Sequence, residues 1–134
     1  MKRPFADAFY FIALLNERDR AHSRAREAAG RSDMQPVTTD FVLIEVADAL
    51  CAPTHRHKVV ALIEKLHQSN EESLIRLSTH LLAQAIDLYR ARPDKAWSLT
   101  DSTSFVVMQD MGITEALTGD AHFEQAGFQA LLKL

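Results

Sequence analysis

The 134-residue sequence has little cysteine and no long apolar run, and both shortages narrow the class of protein. Its one cysteine, Cys51, cannot form an internal disulfide, and no group of cysteines and histidines has the spacing of a zinc site. No apolar run approaches the roughly 20 residues that cross a bilayer. The start of the chain superficially resembles a signal peptide, but Asp7 interrupts the apolar stretch and no small-residue cleavage site follows. We therefore expect a cytoplasmic protein without a membrane partner.

Glycine and proline are also scarce, with four of each, which argues against a low-complexity or disordered chain. A hydrophobic content of 47% is enough for one sizeable core, so we predict a single domain over residues 1–134. The formal net charge is −3, whereas many nucleic-acid binders are strongly basic. Broad electrostatic binding of RNA therefore requires a local basic stripe or bound divalent cations.

Short strand-like runs alternate with helical stretches, which predicts an α/β architecture with a parallel sheet. The predicted strands are residues 4–6, 35–38, 74–77 and 113–117. The predicted helices are residues 8–16, 21–29, 40–51, 55–68, 79–90 and 100–112, with Pro53 expected to end the third of them. The tail, residues 127–134, fits either a fifth strand or a closing helix.

Three acidic residues lie where this pattern places the ends of strands or the start of a helix. Asp7 follows the first predicted strand, Asp120 follows the fourth, and Asp101 opens the last predicted helix. In open parallel sheets, ligands bind beyond the carboxyl ends of the strands. These three carboxylates are therefore expected to meet in one crevice.

A fourth acid, Glu45, lies within a predicted helix. The residues three and four positions away share its face and are mainly apolar: Phe41, Val42, Asp48 and Ala49. Burying an unpaired charge on such a face is costly, so Glu45 needs a cation or a hydrogen bond. Glu45 is therefore the most informative single residue of the sequence.

Each of the other acids also has a structural interpretation. Asp7 could cap the first helix, Asp101 could complete a capping box begun by Ser98, and Asp120 could end a turn or cap a short helix. Four carboxylates at one sheet edge would nevertheless repel one another strongly unless cations neutralised them. A set of oxygen ligands selects Mg²⁺ or Mn²⁺ rather than zinc. Such ions activate water for attack on a phosphodiester, although a phosphatase would use the same cluster.

Several blocks of the sequence resemble the PIN domains, and especially the VapC-type toxin ribonucleases. The most specific blocks are residues 96–105 (AWSLTDSTSF) and 115–128 (EALTGDAHFEQAGF); residues 5–9 (FADAF), 16–22 (NERDRAH) and 38–46 (TTDFVLIEV) resemble the earlier family motifs. The resemblance covers nearly the whole chain. It implies a three-layer α/β/α PIN-like fold with a central parallel sheet of four or five short strands.

The resemblance also implies a function and a set of site residues. The function is Mg²⁺- or Mn²⁺-dependent endonucleolytic cleavage of RNA by the toxin of a toxin–antitoxin pair. Asp7, Glu45, Asp101 and Asp120 correspond to the four acids of the family, with Asp7 and Asp101 as direct metal ligands. The implied partners are the RNA substrate, a small antitoxin protein that blocks the site, and a second copy in a homodimer.

Two departures from the family pattern keep an alternative open. Ala8 occupies the place where the family usually has a threonine or serine beside the first acid, and the first strand is short and begins at Lys2. The alternative is a catalytically weak or inactive PIN-like module that binds RNA or protein. A phosphate-accepting receiver-like domain is a more distant alternative, because it would need paired acids near the first strand and Asp7 has no acidic neighbour.

Three further features have two interpretations each. The arginines of residues 18–31 could form a solvated helix face or contact RNA. Trp97 could stack on a base or pack over the entrance of a helix. His122, next but one to Asp120, could tune the site or have a structural role.

Overall fold

The computed structural model describes residues 1–134 and contains five short strands and seven helices. The strands are β1 (Phe5–Ala6), β2 (Thr38–Thr39), β3 (Leu74–Ile75), β4 (Glu115–Leu117) and β5 (Gln129–Ala130). The helices are α1 (Ala8–Leu15), α2 (His22–Ala29), α3 (Asp40–Ala49), α4 (Pro53–His67), α5 (Thr79–Ala91), α6 (Leu99–Met111) and α7 (Ala121–Gln125). None of these helices combines the length and the apolar character that spanning a membrane requires.

All strand pairs are parallel. β4 lies between β1 and β5, and β2 pairs with β3. Two isolated parallel bridges, Phe5 with Val37 and Lys2 with Met34, join the two groups, and the Thr38 hydroxyl donates a hydrogen bond to the carbonyl of Ala6 at 2.8 Å. The spatial order is therefore β3, β2, β1, β4, β5, which places the carboxyl ends of β1 and β4 side by side.

Helices cover both faces of this sheet. Successive residues of a strand point to opposite faces, and Phe5 and Ala6 of β1 are both fully buried. The same holds for Ala116 and Leu117 of β4, which are 0% and 1% exposed. Burial on both faces is typical of parallel sheets that are layered between helices. The predicted three-layer α/β/α architecture is thereby confirmed, and of the four or five short strands expected the structure has five.

Side-chain caps mark the starts of α3, α5 and α6, and a glycine marks the end of α6. The side chains of Thr39 and Ser78 accept hydrogen bonds from the first turns of α3 and α5. Ser98 forms a capping box with Asp101 at the start of α6, and Gly112 ends that helix with a left-handed φ of 67°. Pro53 differs from expectation, because it is the first residue of α4 rather than the end of α3.

The strands are shorter than the sequence pattern predicts, and at β3 and β4 other hydrogen bonds take up the backbone beside the strand. After β3, the backbone N–H of Leu77 donates to the Asp40 carboxylate instead of to a strand. Before β4, the N–H of Ile113 donates to the carbonyl of Met108 and closes the end of α6. The tail forms β5, so the first of its two predicted conformations is correct.

Asp40 ties three elements together at the start of α3. Its carboxylate accepts hydrogen bonds from the ring of His67 at 3.0 Å, from the guanidinium of Arg76 at 3.0 Å and from the N–H of Leu77 at 2.9 Å. Burial alone would raise the pKa of Asp40, but the three donors together lower it. This acid therefore has a structural explanation that is complete without a cation.

Candidate active site

Asp7 stands at the carboxyl end of β1, immediately before α1. It occupies the N-cap position but makes no side-chain capping bond, so the structural interpretation of this residue does not hold. Its carboxylate is buried and accepts a hydrogen bond from the Thr118 hydroxyl at 2.8 Å. Burial, reinforced by the negative charges of Glu45 and Asp101, raises the pKa of Asp7 to about 7 despite the opposing Thr118 hydrogen bond.

Glu45 reaches the same place from the middle of α3. Its Oε1 atom is buried and has no hydrogen-bond partner. Burial raises the pKa of Glu45, and the charges of Asp101 and Asp120 raise it further. A buried acceptor without a donor is rare in native proteins and calls for a specific explanation.

Asp101 is held by the backbone at the start of α6. Its Oδ2 atom accepts the N–H of Ser98 at 3.0 Å, which is the second half of the capping box. The same oxygen lies 2.9 Å from Nδ1 of His122. Asp101 is buried, so the capping box fixes a carboxylate that solvent scarcely reaches.

Asp120 follows β4 and caps the short helix α7. Its carboxylate accepts the backbone N–H of His122 at 2.9 Å, and its own N–H donates to the Thr118 hydroxyl oxygen at 3.1 Å. Nδ1 of His122 lies 3.5 Å from the other carboxylate oxygen of Asp120. One carboxylate oxygen from each of Asp101 and Asp120 and one ring nitrogen of His122 lie within 4.8 Å of one another.

The structure brings Asp101 and Asp120 to ligand distance of each other, whereas Asp7 and Glu45 lie outside that group of atoms. Short contacts through Thr118 and His122 connect Asp7, Asp101 and Asp120, and the pKa of Glu45 responds to the charges of Asp101 and Asp120.

Thr118 is a site residue that was not predicted from the sequence. Its hydroxyl donates to Asp7 and accepts from the backbone of Asp120, so one side chain holds the acids after β1 and β4 together. Thr118 also supplies a hydroxyl beside Asp7, where Ala8 lacks one. Thr118 could have been identified in the sequence from its position at the end of a predicted strand, two residues before Asp120.

Gly119 lies between Thr118 and Asp120, where the surrounding atoms leave no room for a side chain. A Cβ atom at this position would lie 2.6 Å from the ring of Phe9 and 3.1 Å from the carbonyl of Leu132. Both distances are too short for ordinary contacts, so the loop after β4 packs this closely only because residue 119 is glycine. The close packing fixes the backbone from which Asp120 extends.

The residues of this site fit a divalent cation. Glu45 has a buried oxygen without a hydrogen-bond partner. Burial and repulsion between the acids raise the pKa values of Asp7 and Glu45, and a bound cation would lower both values again. Carboxylate oxygens are the ligands that Mg²⁺ and Mn²⁺ prefer. Only oxygen donors were expected from the sequence, whereas the structure adds the ring nitrogen of His122 to the cluster.

Trp97 packs over the start of α6, as the second of its two interpretations proposed. Its ring meets Phe105 edge to face with centroids 5.0 Å apart, and its Nε1–H donates to the side chain of Gln125 at 3.1 Å. The ring is buried, so it offers little surface for stacking on a base. Trp97 therefore supports the site through the core.

The arginines around α2 are partly occupied by intramolecular partners. Arg31 forms an exposed bidentate pair with Asp33, and Arg24 donates to the backbone carbonyl of Lys133. These contacts favour the interpretation of α2 as a solvated face.

Comparison with known proteins identifies the family of this chain. No protein-family model matches the sequence. The chain is 30% identical over 127 residues to the 23S rRNA-specific endonuclease VapC20 of Mycobacterium tuberculosis, in strains CDC 1551 and H37Rv. The alignment covers 92% of this chain and 94% of the relative. This chain is a VapC-type PIN-domain protein.

Two solved structures resemble this VapC-type chain. The crystal structure of Mycobacterium tuberculosis VapC20, described as a sarcin–ricin loop cleaving toxin, has a TM-score of 0.82 at 27% identity over 97% of both chains. The structure of FitAcB from Neisseria gonorrhoeae has a TM-score of 0.59 at 14% identity over 94% of both chains, and it supports the fold alone. The family resemblance read from the sequence is confirmed, and a receiver-like domain is excluded.

Proposed function

We propose that this chain is a divalent-metal-dependent endoribonuclease in which Asp7, Glu45, Asp101 and Asp120 hold Mg²⁺ or Mn²⁺. The observation that carries this proposal is the buried Oε1 atom of Glu45, which has no partner among the protein's own donors. A cation would give this oxygen a partner and would relieve the repulsion that raises the pKa values of Asp7 and Glu45. The family to which the chain belongs supports the same activity.

The chain's own residues prepare the site before an RNA arrives. Thr118 holds Asp7 in place through a hydrogen bond to its Oδ2 atom. The capping box at Ser98 fixes Asp101, and the first turn of α7 fixes Asp120. The bound cation would neutralise the acids, attract a phosphate and activate water for hydrolysis. Without the cation, the clustered carboxylates would repel the RNA backbone.

The substrate proposed for this chain is a structured loop of ribosomal RNA. The relative with 30% identity is named a 23S rRNA-specific endonuclease, and its crystal structure is described as that of a sarcin–ricin loop cleaving toxin. A test compares cleavage of an oligonucleotide with the sarcin–ricin loop sequence and of one with the same stem and a scrambled loop. Faster cleavage of the first supports the proposed substrate, and equal rates contradict it.

We further propose a small antitoxin protein as the partner of this cytoplasmic chain. An apolar groove of about 520 Å³ between α3, α4 and the β3–α5 loop supports a protein partner, and its Ile44 and Leu77 side chains are 50% and 55% exposed. The test is co-expression with the product of a neighbouring small open reading frame. Co-purification that is lost in Leu77→Asp supports the proposal. Self-association that is measured by light scattering and is lost in Leu77→Asp would instead assign the groove to a homodimer.

Cleavage of a mixed RNA pool tests the activity itself. Purified protein is incubated with Mg²⁺, Mn²⁺ or EDTA, beside the variants Asp101→Asn and Asp110→Asn. Asp110 is a matched control because it is an exposed acid on the same helix as Asp101. Loss of an outer-shell partner costs a metal site 10- to 100-fold, so loss of a direct ligand should cost about 100-fold or more. Folded protein that cleaves no RNA would favour the inactive binding module.

A further inference from the structure

The ring of His122 occupies an unusual position between two of the acids. Its Nδ1 atom lies 2.9 Å from Oδ2 of Asp101 and 3.5 Å from Oδ2 of Asp120. The backbone places the ring there, because the Asp120 side chain caps α7 at the N–H of His122. The ring is thus held against both carboxylates by the same turn that orients one of them.

Asp101 and Asp120 each cap a helix through hydrogen bonds that do not involve the His122 ring. Asp101 completes a capping box with Ser98, and Asp120 caps α7 through a backbone N–H. Removing the imidazole would therefore leave each carboxylate with a hydrogen bond and both helix starts intact. Helix capping therefore does not explain why Nδ1 of His122 lies beside both carboxylates.

Nδ1 of His122 lies within hydrogen-bond distance of Asp101, and the same spacing also fits ligands around one cation. Mg²⁺ and related ions bind oxygen and nitrogen at about 2.0–2.2 Å, so two ligands at a right angle lie about 3 Å apart and tetrahedral ligands about 3.5 Å apart. The distances from Nδ1 to the two carboxylates fall at these two values. The three atoms also lie within 4.8 Å of one another, as the ligands of one ion do.

We propose that His122 is a nitrogen ligand, through Nδ1, of the cation held by Asp101 and Asp120. This inference rests on the proposed metal-dependent function. An imidazole ligand suits transition metals, whereas Mg²⁺ prefers carboxylate, carbonyl and water oxygen. His122 therefore gives the site a preference for Mn²⁺ over Mg²⁺ that an all-oxygen cluster would lack.

The test is pulsed electron paramagnetic resonance of Mn²⁺ bound to the full chain. The wild type should show the ¹⁴N coupling of a directly bound imidazole, and His122→Asn should lose it because the amide offers an oxygen. His80→Ala is the matched control, since His80 is exposed on α5 and should leave the coupling unchanged. Mn²⁺ that binds without ¹⁴N coupling, or coupling that persists in His122→Asn, would overturn the proposal.

Calorimetric titration with MnCl₂ and MgCl₂ gives an independent measurement. His122→Asn should weaken Mn²⁺ binding about 10-fold or more and Mg²⁺ binding much less. A purely structural role would lower the melting temperature in EDTA and weaken both ions equally. Metal-dependent cleavage without nitrogen coupling refutes only the role of His122. Absence of both metal binding and cleavage refutes the proposed function as well.

Discussion

The Asp7→Asn variant should be more stable than the wild type in metal-free buffer at neutral pH. Burial, with help from the charges of Glu45 and Asp101, raises the pKa of Asp7 from its ordinary value of 3.8 to about 7. The ionised carboxylate is thus disfavoured in the folded state. Asparagine removes that charge, and its amide oxygen can still accept the hydrogen bond from Thr118.

The sign of the pH dependence follows from linkage. Between pH 4 and 7 the unfolded chain loses the Asp7 proton while the folded chain keeps it, so wild-type stability falls as pH rises and levels off above 7. One unit of pKa corresponds to about 1.36 kcal/mol of free energy. A difference of about 3 between the folded and unfolded pKa of Asp7 therefore lowers the stability of the wild type by roughly 4 kcal/mol at most. The advantage of Asp7→Asn should therefore be near zero at pH 4 and between about 2 and 4 kcal/mol at pH 8.

The assay is urea denaturation of both proteins in EDTA at several values of pH, with Asp110→Asn as an exposed control. Addition of Mn²⁺ at a hundred times the dissociation constant should remove most of this advantage, because the wild type then gains about 2.7 kcal/mol of binding energy. A stability difference that does not change with pH would refute the account of Asp7 as a buried acid.

Three further substitutions test the scaffold around the site. Asp40→Ala removes an acceptor shared by three donors, and should lower the free energy of unfolding by about 1–3 kcal/mol in urea denaturation. An unchanged urea midpoint would show that the Asp40 carboxylate does not stabilise the contacts between these elements. Gly119→Ala places a Cβ against Phe9 and should destabilise the protein by about 1–3 kcal/mol, seen as a lower melting temperature. Thr118→Val removes the hydrogen bond to Asp7 and should weaken Mn²⁺ binding by about 10-fold in calorimetry, whereas unchanged binding would show that the hydroxyl does not position the acid.

The sequence predicts those parts of the fold that short-range contacts determine. Ser98 and Asp101 are three residues apart, so their capping box, and with it the start of α6, is visible in the sequence. The strands have only two or three residues, which is too short for a period of two to fix their ends. Where β3 stops depends on Asp40, more than 30 residues away in the chain.

The four acids could be named from the sequence, but their connections could not. The Thr118 hydroxyl and Asp7 are 111 residues apart, and no local pattern pairs them. His122 was noticed only as a neighbour of Asp120, whereas its ring also contacts Asp101 through the packing of α6 against α7. The resemblance to the family therefore supplied the identity of the acids, and the three-dimensional arrangement supplied the reason for each position.

In the proposed mechanism, cations held by the carboxylates let water, rather than the RNA's own 2′-hydroxyl, cleave the RNA backbone. Mass spectrometry of the products formed from a sarcin–ricin loop oligonucleotide in Mg²⁺ or Mn²⁺ tests this most directly. Hydrolysis by water should give RNA fragments that end in a phosphomonoester on one side of the cut and a free hydroxyl on the other, and no fragments should form in EDTA. Products that end in a 2′,3′-cyclic phosphate, or that form equally well in EDTA, would contradict the claim.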